Sequence, residues 1–466
     1  MMLRRLAYRG VVYPLYHAVK RDGINRARRE LDAGQWLAPM ELAGLQRRKF
    51  LDLLRFAQEN VPYYEDILAD VGADALTRSA SEILSTLPIL DKETIRREGA
   101  RMQAPAVSGR TGYANSTSGS TGEPLRFLTD TTSHAYRLAD ELRGKAFAGA
   151  RLGDRHVALW GGPLEISRAQ ERRGRLHALV TGHRLLSTQD LSPARLDTYI
   201  AVVQQFRPAV MTAYPSALEV LAEHCLHRGV VLRDALEGVI CSAETLWPYQ
   251  RELFEQVFGP GRIFNRYGSR EVGAIAHECA AHGGLHVSAD RLLVEIVDER
   301  GHACPPGVPG DVLVTDLESH AMPLIRYRIG DSAVWSEEQA CSCGRQLPLL
   351  ATVYGRSMDV LRAPDGKAVG GTFFTMLLRS QGGIKRFQVN QDKSGAVCIR
   401  FVADQVPPAE VLSDFKRQIR NRLGANLPVT FDHVTEIPAA GSGKQRLIAS
   451  EYRPDEAATE TTHAVH

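Results

Sequence analysis

The sequence predicts an α/β protein: a large multi-layer N-terminal domain that includes a β-rich subdomain, followed by a small α+β C-terminal domain. Three observations predict it. Between residues 125 and 258, short apolar runs such as His156-Val157-Ala158-Leu159-Trp160 and Gly238-Val239-Ile240-Cys241-Ser242 alternate with helical stretches, the pattern of largely parallel strands connected by helices. From residue 290, strands at 292–297, 310–315 and 325–335 crowd together between Gly and Pro turns. Near Gly355 a new pattern begins, with strands at 387–390, 397–402 and 429–434 around a helix over 409–423. A chain of 466 residues exceeds one ordinary core. We divide it into a helical scaffold at 1–100 that belongs to the large domain, an α/β body with the β-rich subdomain at 101–355, and a C-terminal domain at 356–466.

The remaining elements follow in order. Leu42, Leu45, Phe50, Leu53, Leu54 and Ala57 recur at helical spacing within 24–70, and Asn60-Val61-Pro62 interrupts them. Asp91 is placed to cap a short helix. Residues 125–129 suit a strand and 131–149 a helix. Residues 209–214 suit a strand followed by a helix through Cys225, and 247–258 suit another helix. No internal repeat is visible, and the last dozen residues read as disordered.

Lys and Arg total 57 against 54 Asp and Glu, a net charge of +3, so no global field favours nucleic acid. Seven scattered cysteines are no disulfide framework and suit a reduced, cytoplasmic setting. No apolar run reaches the ~18 residues of a transmembrane helix. The N-terminus combines Arg4, Arg5, Arg9, Lys20 and Arg21 with an apolar patch over 10–15, without the core or cleavage site of a signal peptide. It reads as a helix packed on the body or as one that meets a membrane surface.

One stretch is chemically distinctive. Ser116-Thr117-Ser118-Gly119-Ser120-Thr121-Gly122-Glu123-Pro124 packs five hydroxyls and two glycines into nine residues. Such a loop brings backbone N–H groups and hydroxyls close to an anion, although a flexible Ser/Gly linker has a similar composition. It is no Walker A loop, because no Gly-Lys-Ser/Thr follows.

Four further stretches accompany it in order: Tyr267-Gly268-Ser269-Arg270-Glu271, Tyr327-Arg328-Ile329-Gly330-Asp331, Gly355-Arg356-Ser357-Met358-Asp359 and Gly441-Ser442-Gly443-Lys444. Together they resemble the adenylate-forming enzyme superfamily, in its phenylacetate–CoA ligase-like branch of the capsular-polysaccharide-associated type, over about residues 40–450. The resemblance implies the adenylate-forming fold with a mobile C-terminal domain. It also implies ATP-dependent activation of a small, aromatic carboxylic acid as an acyl-adenylate and transfer of the acyl group to coenzyme A, with ATP and Mg²⁺ as cofactors.

Roles follow by the same resemblance. Ser118, Gly119, Ser120, Thr121 and Gly122 would hold the β- and γ-phosphates. Glu271 would help hold Mg²⁺, as an acidic oxygen ligand suits that cation. Ala243, Glu244, Tyr267 and Gly268 would line the adenine pocket, Asp331 would accept from the ribose hydroxyls, and Arg356 would donate near the ribose or α-phosphate. Lys444 would be the catalytic cation at the α-phosphate and carboxylate oxygens. A truncated P-loop there is excluded by Pro438 and Gln445. Two departures stand out. Met358 occupies the first of two hinge positions that are often both acidic, and Glu123 stands where many relatives have a lysine near Pro124, so positive charge must come from Arg126, Lys444 and Mg²⁺.

Cys279, His286, Cys341 and Cys343 form a Cys₃His set matching the order of a zinc site carried by some members of this branch. Zinc there would be structural. His277 and His282 are alternative donors, and ordinary reduced cysteines are the competing reading. Trp160, Tyr214 and Ser216 follow strand ends, where open α/β sheets place ligands, and are candidates for the acid pocket as well as for plain core and turn positions. Arg168, Arg172, Arg173 and Arg175 read as a solvated basic face or as a coenzyme A phosphate contact. Two other functions stay open: adenylation with delivery to a carrier protein, amine or sugar, and a catalytically silent nucleotide-binding relative. A homodimer is compatible with all three.

Overall fold

The computed structural model describes residues 10–11, 13–20, 22–69, 78–105, 107, 113–116, 125–161, 182–338, 340–356, 360–364, 368–370, 373–374, 377–378, 384–437 and 448–452. The chain separates into two compact units, Met1–Ile329 with Ala333–Val353, and Gly330–Ser332 with Tyr354–His466.

Among the described residues the first unit opens with six α-helices: α1 (Tyr13–Lys20), α2 (Ile24–Gly34), α3 (Pro39–Asn60), α4 (Pro62–Ala69), α5 (Ala80–Thr86) and α6 (Lys92–Glu98). Pro39 opens α3, where a missing N–H is harmless, and the Glu41 carboxylate accepts from the Ala38 N–H at 3.0 Å. Leu42, Phe50, Leu53, Leu54 and Ala57 are its buried residues, and Val61-Pro62 ends it. Asp91 caps α6 by accepting from the Thr94 N–H at 2.7 Å. Strands β1 (Tyr113–Ser116) and β2 (Arg126–Thr129) form an antiparallel pair with Ser116 opposite Arg126. The glycine-hydroxyl loop therefore joins the two strands of a hairpin; Thr117–Pro124 lie outside the described residues. Asp130 then caps α7 (Thr131–Phe147), accepting from the Ser133 N–H at 2.9 Å.

The body follows as β3 (His156–Trp160), β4 (His183–Ser187), α8 (Pro193–Phe206), β5 (Val210–Ala213), α9 (Pro215–His227), β6 (Gly238–Ser242), α10 (Pro248–Phe258) and β7 (Ile263–Ser269). These five strands pair in parallel in the order β4-β3-β5-β6-β7. Val157, Leu159, Met211, Ala213, Val239 and Cys241 share a core with Val203, Leu218, Leu221, Phe254 and Phe258 of the crossing helices. Sequence reading missed β4 and α8, whose polar residues dilute the apolar signal.

Then come β8 (Gly273–Glu278), β9 (Leu285–Val287), β10 (Leu292–Val297), β11 (Pro309–Asp316), β12 (Tyr327–Trp335) and β13 (Leu349–Arg356). They extend the same sheet. β8 pairs antiparallel with β7, β9 joins β13, and all eleven strands run as β10-β11-β12-β13-β9-β8-β7-β6-β5-β3-β4.

The second unit holds the pair β14 (Val360–Arg362) and β15 (Ala368–Gly370), then β16 (Ile384–Gln391), β17 (Val397–Ala403), α11 (Ala409–Leu423), β18 (Val429–His433) and β19 (Ile448–Ser450). The last four strands run β18-β17-β16-β19. Phe415, Ile419 and Leu423 are the buried residues of α11, and the Phe415 and Phe431 rings lie 6.2 Å apart. Lys444 with Gly441–Gly443 falls between β18 and β19, outside the described residues, as do Met358, Asp359, Arg168, Arg172, Arg173, Arg175 and residues 453–466.

Candidate active site

The site is built at the carboxyl ends of the parallel strands and in the turn between β7 and β8. Leu159 pairs with Ala213 and Ala213 with Cys241, so the residues just beyond β3, β5 and β6 share one rim of the sheet. The Trp160 and Tyr214 rings stack there, 3.9 Å between centroids and 24° between planes. Beside them, the Glu244 carboxylate accepts from both the N–H and the hydroxyl of Ser216, at 2.9 and 3.0 Å. Ser216 belongs to the first turn of α9, where unpaired N–H groups and the helix dipole favour a negative charge. Ala243, between Ser242 and Glu244, takes a left-handed φ of 68°, a conformation costing a non-glycine residue roughly 1–2 kcal/mol. The strain sets the turn that carries Glu244 off the end of β6.

The β7–β8 hairpin positions Glu271. A register irregularity between Tyr267 and Gly268 bends it, and a Cβ on Gly268 would meet the Gly273 carbonyl oxygen at 2.6 Å, so glycine is required. Tyr267 is buried, 8% exposed, in the core shared with the N-terminal helices. Glu271 is only 4% exposed, yet its Oε1 accepts from the Tyr327 hydroxyl at 2.9 Å, and Tyr327 is itself fully buried. Among the described residues, Tyr327 alone bonds this carboxylate. The Glu271 carbonyl accepts from Arg137 Nη2 at 2.5 Å, and Arg137 also reaches Asp316 Oδ2 at 3.2 Å and Thr129 Oγ1 at 3.4 Å. One guanidinium on α7 thus ties the Glu271 turn to the end of β2, the strand that follows the glycine-hydroxyl loop. Neither Tyr327 nor Arg137 was singled out from the sequence. Tyr327 stands in the same short motif as Asp331, a signal that could have found it.

Behind this turn lies a buried ionic network. Arg143 bonds Asp140 at 2.8 Å and Asp290 at 2.5 Å, Arg291 bonds Asp140 at 3.1 Å, and Ser288 donates to Asp140 at 2.8 Å. Arg291 also donates to the carbonyls of Val272 and Ala274 at 2.5 and 3.0 Å, clamping the start of β8. Burial opposes a charge on Asp140, but Arg143, His277 and Arg291 overcome it and hold the carboxyl well below the usual range.

Asp331 lies in the Gly330–Ser332 segment of β12 that belongs with the second unit. Arg356 closes β13, its side chain outside the described residues.

A separate cluster gathers Cys279, His286, Cys341 and Cys343, whose ligand atoms all lie within 4.8 Å of one another. Cys279 Sγ and Cys341 Sγ are 3.7 Å apart, and Cys343 Sγ is 3.3 Å from His286 Nε2. A tetrahedral zinc with ~2.3 Å Zn–S bonds separates its sulfurs by about 3.8 Å, so the spacing fits. All four cysteine and histidine side chains are unbridged thiols or imidazole. Burial and then Arg345 push His286 down to about 4, which keeps the imidazole in the neutral form that ligates metal. The alternative donors are engaged elsewhere: His282 between Glu278 and the Gly261 carbonyl, at 2.9 and 3.1 Å, and His277 3.5 Å from Asp140.

Comparison with known proteins bears on this geometry. The model of the AMP-binding enzyme family matches residues 68–317, just over half of the chain, and that of the CapK C-terminal domain matches residues 361–451. The chain is 26% identical over 442 residues to phenylacetate-coenzyme A ligase of Thermus thermophilus, covering 88% of this chain and 96% of that protein. It is 21% identical over 410 residues to protein CapK of Staphylococcus aureus, covering 87% and 89% respectively. Among solved structures, 2-hydroxyisobutyryl-CoA ligase in its postadenylation state with R3-HIB-AMP superposes with a TM-score of 0.67 over 92% of this chain and 94% of that one, at 17% identity, a likeness of fold.

Proposed function

This chain belongs to the AMP-binding enzyme family, and from that membership we propose that it is an AMP-forming acid–thiol ligase that activates a small aromatic carboxylic acid and passes the acyl group to coenzyme A. In the first step a carboxylate oxygen of the acid attacks the α-phosphorus of ATP. The Pα–O bond to the β-phosphate breaks, pyrophosphate leaves and an acyl-adenylate forms. In the second step the thiol sulfur attacks the acyl carbon, the C–O bond to AMP breaks, and the thiol proton passes to solvent.

The observation that carries this reading is Glu271: a nearly buried carboxylate held by Tyr327 on one oxygen, on a hairpin tied by Arg137 to the strand leaving the glycine-hydroxyl loop. A buried carboxylate with so little bonding suits a divalent cation, and Mg²⁺ would neutralise the phosphates as the two anions meet. The loop over Ser118–Gly122 would supply hydroxyls and N–H groups to those phosphates, and Lys444 the charge on the α-phosphate. Ala243, Glu244, Tyr267 and Gly268 would shape the adenine side, and Asp331 and Arg356 the ribose side. The Trp160–Tyr214 stack offers a flat apolar wall to an aromatic acid. Zinc bound by Cys279, His286, Cys341 and Cys343 would be structural, tying the end of β8 to β9 and to the segment before β13.

A second reading, delivery of the activated acyl group to a carrier protein, amine or sugar, is favoured by the CapK C-terminal domain and by Met358 at the hinge position. ATP–pyrophosphate exchange across a panel of acids, with and without coenzyme A, tests both. Exchange with acyl-CoA formation supports the first reading and exchange alone the second. Silence with every acid despite ATP binding makes the chain a nucleotide-binding relative without this chemistry.

A further inference from the structure

Helix α7 carries a line of charged residues that stays open to solvent. Arg137, Glu141 and Lys145 recur every four residues, a stripe about 12 Å long. It starts at the Glu271 turn, where Arg137 donates to the Glu271 carbonyl. Their side chains are 12%, 39% and 19% exposed, while Ala139, Asp140, Arg143 and Gly144 between them are buried. The sheet offers a matching face. Val210, Ile240 and Phe264 pack with Ala148 and Ala150, just past the end of α7. Strand alternation puts Thr212 and Arg266, both half-buried, on that same side two residues further on. His156 joins them, its Nε2 3.0 Å from Thr212 Oγ1. Ala158 pairs with Thr212, so the Trp160–Tyr214 stack lies two residues, about 7 Å, nearer the rim.

The charges on this face are incompletely answered. Lys145 Nζ lies 2.8 Å from a Glu141 carboxylate oxygen. That ammonium, opposed by burial and helped by Arg266, holds the Glu141 carboxyl down at about 2. Arg266 is close enough to act on the Glu141 charge, yet its Nε is buried without a hydrogen-bond partner among the described residues. A buried N–H left unpaired costs free energy, and a ligand oxygen that accepts from it recovers that cost. The chemistry of the ligand follows from the two signs of charge. An ammonium substituent would meet Lys145 and Arg266, and a carboxylate would face Glu141 at close range. A hydroxyl is neutral, accepts from Arg266 and donates to Glu141. Resting on the ligase reading, we infer that the acid activated here carries a hydroxyl group remote from its carboxylate, selected by Arg266 and Glu141 below the Trp160–Tyr214 stack.

ATP–pyrophosphate exchange is measured with phenylacetic and benzoic acids and with their ring-hydroxylated, amino and carboxyl derivatives. A hydroxylated acid should exceed its plain parent by ~10-fold or more in kcat/KM, because the plain acid leaves Arg266 and Glu141 unpaired. Arg266→Met keeps the stem and removes the donors, and should bring that ratio close to one. Glu141→Gln should lower it as well. The ratio within each variant does not depend on how much of the protein is folded. A best acid that is plain, amino- or carboxyl-substituted, or a hydroxyl preference unchanged in Arg266→Met, would overturn the inference and leave the ligase reading standing. Calorimetric titration with the same acids separates the two if no acid supports exchange. Tighter binding of a hydroxylated acid than of its parent, lost in Arg266→Met, would then support the subsite without the ligase; equal binding would overturn it.

Discussion

The Tyr327 hydroxyl donates to Glu271 Oε1 at 2.9 Å, joining two residues 56 positions apart, both almost wholly inside the protein. The bond fixes the orientation of a carboxylate whose role we place at the metal and phosphates. A tyrosine on β12 and a glutamate on the β7–β8 turn therefore act as one unit.

Removing that hydroxyl alone is the sharpest probe of the unit. A hydrogen bond to a charged group is worth about 1.5–3 kcal/mol, so Tyr327→Phe should lower ATP–pyrophosphate exchange by ~10-fold or more and raise the Mg²⁺ concentration needed for half-maximal exchange. An unchanged Mg²⁺ titration would show that Tyr327 does not position Glu271 for the metal.

The ionic network predicts a stability effect. Arg143→Ala leaves Asp140 and Asp290 buried without their main partner, which costs about 3–5 kcal/mol. Denaturant unfolding should show it as a lower midpoint; a change under about 1 kcal/mol would mean the network relaxes or hydrates. Because the folded Asp140 carboxyl is held below its ordinary range, its contribution is complete above that range and disappears as pH falls toward the folded value. The difference between Asp140→Asn and the parent chain should therefore shrink in acid.

Much of this architecture is legible in the sequence, and the exceptions have physical causes. Val157–Leu159 and Val239–Cys241 read as strands because both faces of a parallel sheet are covered. The pairing of β9 with β13, which makes the β-rich part an extension of the sheet, joins His286 to Leu349, and no local pattern encodes a contact that distant. Asp140 and Arg143 look like an ordinary surface pair three residues apart, yet they are 0% and 3% exposed, because Asp290 and Arg291 arrive from another element. Glu271 was legible through its motif. Tyr327 stands in a second motif, but its contact with Glu271 becomes visible only when β12 is in place.

The Trp160–Tyr214 stack predicts selectivity. Trp160→Ala removes the flat wall, so the preference for aromatic over aliphatic acids in the exchange assay should fall by ~10-fold, within the ~0.5–1.5 kcal/mol of an aromatic pair plus lost apolar contact. An unaltered acid profile would place the acid elsewhere.

Metal analysis of the purified protein should find close to one zinc. Cys343→Ser should lower both that content and the denaturant midpoint, because structural zinc binding contributes directly to folding. Full stability with less than about a third of an equivalent of metal would reduce the cluster to packed thiols.

We propose that this chain forms an acyl-adenylate with Lys444 at the α-phosphate. Lys444→Ala should reduce ATP–pyrophosphate exchange by ~100-fold or more, as removing one preorganised charge from a transition state does, while ATP affinity stays close to that of the parent chain. Exchange at the parent rate in that variant would contradict the account.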